Sequence, residues 1–191
     1  MAMTAWLEAR FALIGLLRLL RGDRGWLGCF DRSVGGFWRS FRAAIPCYPL
    51  YLVLLTMRVA GDEWRHAGGL RIVAVETIAY VISWTAFPLL MLSLTRRIDR
   101  ADRFFDFMVP YNWYQLPQSA LFILVGLLTA GGPAGSSAPQ AIGLTAAAAL
   151  LGFEWYLARV ALDTTRAAAA LVVLVDLMLG ALIDGSAGSL Y

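Results

Sequence analysis

Glu76, Glu154 and Asp176 sit inside long apolar stretches of this chain, and they are the residues whose chemistry must be explained first. A carboxylate in the bilayer interior costs about 3 kcal/mol on insertion scales, so each must be neutral, paired or turned toward a hydrated interior. With a helical rise of about 1.5 Å per residue, the three fall at successive depths. Glu76 belongs to the outer third, Asp176 to the middle and Glu154 to the inner third. Such a ladder suits a relay for protons or a small cation, with Asp176 as its central site. It equally suits a structural task, in which hydrogen bonds between helices hold a bundle in register. A second polar set lies nearby: Asn112, Gln115 and Gln118 recur at spacing three and share one broad helix face. Pro117 frees a backbone carbonyl in the same turn. Hairpin packing of this helix on the next is expected to bring these amides to Glu154, as mutual hydrogen bonds or as a polar pocket open to the cytoplasm.

Catalytic signatures are missing. With His66 as the single histidine there is no H-E-x-x-H, and neither G-x-S-x-G nor a phosphate-binding glycine loop occurs. No enzymatic activity, cofactor or metal site is therefore expected. Cys29 and Cys47 form no redox or metal motif, and Cys47 is expected to be a buried free thiol. His66 reads as a solvated loop residue.

Composition says what must position these groups. A chain with 60% hydrophobic and 15% charged residues, and a mean hydropathy of +0.67, is too apolar for an ordinary soluble domain. Five segments approach the roughly 20 apolar residues a spanning helix needs, at about 42–60, 71–94, 110–130, 140–160 and 167–184. The third is the weakest, because it reaches membrane length only through Tyr111 and Trp113. The expected fold is all-α: a polytopic transmembrane helix bundle of five spans preceded by an N-terminal interfacial amphipathic helix. Residues 1–34 form the cytoplasmic or interfacial segment and 35–191 the transmembrane domain. Trp6 to Leu20 is apolar but interrupted by Arg18 and Arg21, which favours a helix lying on the surface over a re-entrant one. MAMTAWLEAR lacks the basic start and cleavage site of a signal peptide. Pro46, Pro49 and Pro88 predict kinks. Small residues, including Gly143, Ala147, Ala148, Gly152 and Gly180, predict close helix approach.

Arginines set the orientation. They crowd the segment before the first span, the stretch between the second and third, and the turn between the fourth and fifth. The loop GGPAGSSAP (131–139) and the tail after Asp184 carry no charge. The positive-inside rule then places the N-terminus in the cytoplasm and the C-terminus outside. The absence of lysine hints at a GC-rich bacterial genome, and so at a bacterial inner membrane. TRRIDRADRFFDF (95–107) reads as a solvated helical connector, with Arg96–Asp99, Asp99–Arg103 and Arg103–Asp106 pairs. Its Phe104, Phe105 and Phe107 are expected to dip into the headgroups. Phe37, Trp38, Arg39, Phe41 and Arg42 border an apolar run. They read as a membrane-interface anchor, with rings at headgroup depth and guanidinium groups on anionic lipid. A nucleic-acid platform would need a broad basic face, so no nucleic acid is expected as a partner.

A cytoplasmic N-terminal segment followed by five spans resembles the layout of Yip-type membrane proteins and their bacterial relatives. The resemblance implies a small non-enzymatic protein of membrane organisation or partner binding, and it assigns no site residue. The expected function is an accessory or scaffold subunit of a larger cytoplasmic-membrane complex, with other membrane subunits and the lipid bilayer as partners. The alternative is a small transporter or proton/cation pathway through Glu76, Asp176 and Glu154.

Overall fold

The computed structural model describes residues 5–59, 61–130 and 137–191, and every regular element among them is helical. The first four residues and most of the expected uncharged loop, 131–136, lie outside the described residues. Helix α1 covers Ala5–Leu20. After a 3-10 turn at Trp26–Cys29, α2 runs over Val34–Ser40, capped by the Ser33 hydroxyl, which accepts from the Gly36 amide at 3.0 Å. A further 3-10 turn leads into α3, Ala44–Arg58. The short α4, Gly61–Glu63, passes through a π-helical turn to Gly68, whose positive φ of 81° starts α5, Gly69–Arg97. Helix α6 is Phe104–Thr129, α7 Ala138–Ala161 and α8 Arg166–Gly188.

Four stretches are long and apolar enough to cross a membrane: Val34–Arg58, Gly61–Arg97, Ala138–Ala161 and Arg166–Gly188. Leucines and isoleucines such as Leu70, Ile78, Leu89, Leu144 and Leu182 point outward from them, giving the apolar perimeter that suits a membrane. The expected third span exists as a helix but stands apart in composition. At 26 residues α6 is about 39 Å long, enough for a hydrocarbon core of about 30 Å. Its first half, Phe104 to Tyr114, is buried except for Phe105 and includes Asp106 and Asn112. Protein, not lipid, surrounds that half, so the hydropathy of an exposed span is not required of it.

The five long helices close into a ring in the order α3, α6, α7, α8, α5, with α3 and α5 meeting most lightly. Side chains reinforce that thin side. The Tyr48 and Thr77 hydroxyls lie 2.7 Å apart, and the Tyr80 hydroxyl donates to the Ala44 carbonyl at 2.7 Å. Helix α1 packs on α6, and its Ala12, Leu16 and Leu19 join the same buried core as the first half of α6.

The connector between α5 and α6 differs from expectation. Asp99 takes a positive φ of 55° and ends the helix, so of the three expected ion pairs only Arg103–Asp106 forms, at 3.3 Å. Asp106 also receives Arg32 at 2.8 Å, which ties the segment before α2 to α6. Phe104 and Phe107 are core residues, with the Phe104 ring 5.5 Å from that of Phe37, instead of dipping outward.

Candidate functional site

Four helices of the ring surround a cavity of ≈ 490 Å³. Its α5 wall is aromatic because Tyr80, Trp84 and Phe87 recur at spacings of four and three, and so share one face. Tyr51 of α3 continues that wall with its ring centroid 5.0 Å from Tyr80, and Trp84 follows at 6.0 Å from Tyr80. Helix α6 supplies Tyr111, Asn112, Gln115 and Ser119. Helix α8 supplies Asp176 and, two turns on, Asp184, with Gly180 between them. Leu177, Gly180 and Ala181 are exposed, so the cavity opens at the surface of the bundle beside α8.

The two aspartates of α8 have different surroundings. Asp184 pairs with Arg58 at 2.8 Å. Asp176 accepts from the Tyr111 hydroxyl at 2.8 Å, and no described arginine reaches it. On α7, Glu154 is 3% exposed, its Oε1 lacks a hydrogen-bond partner among the described residues, and its charge interacts with that of Asp176. Buried polar groups are almost always satisfied, so this oxygen is an exception that needs a cause. The two acids are near enough for their charges to interact, a phenol hydroxyl bonds one of them, and no basic side chain pairs with either among the described residues.

Glu76 belongs to another network. It is 0% exposed and accepts from Arg58 at 2.8 Å, from the Tyr191 hydroxyl at 2.6 Å and from the Tyr51 hydroxyl. Desolvation, helped by the contact with Glu76, pushes the Tyr191 phenol up to about 12, in keeping with its hydroxyl as the donor. The expected ladder of three acids is thus divided: Asp176 and Glu154 are linked, while Glu76 is held by an arginine and two tyrosines.

The amides divide as well. Asn112 and Gln115 line the cavity, but Gln118 does not. The expected meeting of the amides with Glu154 does not occur through Asn112, whose Nδ2 donates to Ser40 Oγ at 2.8 Å instead. Cys47 is buried as expected and lines the cavity, and His66 is exposed.

At the proposed membrane anchor Trp38 is the one exposed ring, at 67% exposure, and Arg42 is exposed beside it. Phe37 is buried against Phe104, Phe105 and Phe41. Arg39 pairs with Glu8 at 2.6 Å and with Asp31, and Arg42 approaches Glu8 at 3.4 Å. Hydrogen bonds from Ser33, then the Arg39 guanidinium, hold the Asp31 carboxyl below its ordinary value. These arginines clasp α1 to α2 within the chain.

Sequence reasoning missed Tyr51, Tyr80, Trp84, Arg58 and Asp184. The stripe Asp176, Gly180, Asp184 at spacing four was the available signal, since it marks one non-greasy face of an otherwise apolar helix. Comparison with protein-family models, curated proteins and solved structures finds no match.

Proposed function

We propose that this chain is a non-enzymatic integral membrane protein that binds a monovalent cation, or passes protons, within its helix bundle. The observation that carries the reading is Asp176: an acid lining the cavity within the helix bundle, in charge interaction with Glu154 and paired with no basic side chain among the described residues. In low dielectric such a pair needs a proton or a cation to balance it. Five crossings, with the N-terminus in a bacterial cytoplasm and the C-terminus outside, complete the proposal. The length of α6 and the arginine distribution support that topology. In proteoliposomes the protein is expected to carry cation or proton flux under an imposed potential, and Asp176→Asn is expected to reduce it to the level of empty vesicles.

A second reading, an accessory subunit of a larger membrane complex, is favoured by a different observation. Gly143 and Gly152 of α7 and Gly185 of α8 face open space, where an added Cβ would meet nothing within 4 Å. Small open faces of this kind allow close approach of a neighbouring helix. For that reading the expected result is co-purification with a larger assembly in mild detergent, and a chain that always runs alone contradicts it.

A further inference from the structure

We propose that the cavity's ligand is an organic cation with an alkylated ammonium head, held between Asp176 and the aromatic wall of α3 and α5. The inference rests on the cation-binding reading above and names the class of cation.

Three features lead to it. The first is size. At ≈ 490 Å³ the cavity lies within the roughly 300–1,000 Å³ typical of small-molecule sites, far beyond the space a single dehydrated metal ion occupies. The second is the donor set. Hard cations such as calcium and magnesium take about six or more oxygen ligands, and among the described residues no group of three or more His, Cys, Asp or Glu side chains converges. The third is the wall itself. Tyr51, Tyr80 and Trp84 form a continuous run of rings, and Phe87 lies 4.5 Å from Tyr111, whose hydroxyl holds Asp176.

Ring faces attract cations through their quadrupole, and the attraction grows when water is excluded. Alkylated ammonium groups exploit this best, because their weak hydration is easily given up. Charge follows the same logic. Asp184 shares the Arg58 guanidinium with Glu76 at one end of the cavity, whereas Asp176 pairs with no arginine among the described residues and is the acid that recognises a positive head. Asn112 is committed to Ser40, while Gln115 and Ser119 add neutral polar groups to the lining. One positive charge with an apolar surface matches this lining; a zwitterion or an anion does not.

The test is calorimetric titration of the full chain in detergent with tetramethylammonium chloride, against sodium chloride at equal ionic strength. Thermal unfolding of each variant confirms folding. Saturable binding is expected, weakened at least about tenfold by Asp176→Asn, since hydrogen bonds and contacts to a charged group carry that much. Trp84→Leu is expected to weaken it about fivefold, whereas Trp84→Phe, which keeps a ring face, stays within about twofold. A purely structural role for Trp84 would not separate leucine from phenylalanine in this way. Absence of tetramethylammonium binding overturns the inference. So does equal competition by sodium, or affinity unchanged in both Asp176→Asn and Trp84→Leu. If any of these occurs while Asp176-dependent flux persists, only the ligand class is wrong. If that flux is absent too, the cation-binding reading fails with it.

Discussion

Acidic residues of similar appearance in the sequence hold different positions in the fold. Glu76 is wholly buried, and its partners Arg58, Tyr51 and Tyr191 saturate it. Glu76→Ala leaves a void at a wholly buried position and takes the shared acceptor from the Tyr51 and Tyr191 hydroxyls, so it is expected to cost about 3 kcal/mol. In a chain of this size that corresponds to a fall of roughly 6–12 °C in Tm, measured by thermal unfolding in detergent. Asp176→Asn keeps the shape and the Tyr111 contact, and is expected to leave Tm nearly unchanged while removing function. A similar Tm loss for both would place Asp176 among the structural acids. That these residues are special was legible in the sequence, because charge inside apolar runs is rare. Their partners were not legible. Tyr191 lies 115 positions from Glu76, and Tyr111 lies 65 from Asp176, separations that no local pattern encodes.

Helices were the most legible level. Each of the five expected segments is a helix, and the long apolar runs account for four stretches able to cross a membrane. Helix α6 departs from the rule for a physical reason. Lipid is not the solvent of its first half, which is enclosed by α1, α2 and α3 and keeps Asn112 and Asp106 inside the protein. Hydropathy measures fitness for lipid and cannot judge a helix shielded from it. The clasp of α1 was hidden similarly: Glu8 looked like an interruption in an apolar segment, yet it receives Arg39 and Arg42. If α6 crosses the bilayer, the two ends of the chain lie on opposite sides. With both native cysteines replaced, Arg24→Cys and Ser189→Cys are then expected to react with a membrane-impermeant maleimide from opposite faces. Labelling from the same face would return α6 to a non-crossing role.

At the scale of the molecule, the ring of α3, α6, α7, α8 and α5 turns scattered polar residues into one cavity. Helix α7 supplies no lining residue among those described and instead carries the buried Glu154, whose charge interacts with that of Asp176. The order of the ring was beyond the sequence, since no internal repeat or motif dictates which faces meet. The division of labour follows from that order: the single guanidinium of Arg58 is shared by Glu76 and Asp184 at one end, whereas no basic side chain pairs with Asp176 among the described residues. The most direct test is cation and proton flux into proteoliposomes, comparing wild type with Asp176→Asn of matched Tm. The account predicts potential-driven flux in the wild type and only empty-vesicle leak in the variant. Equal flux in the two, or none in the wild type, would contradict it.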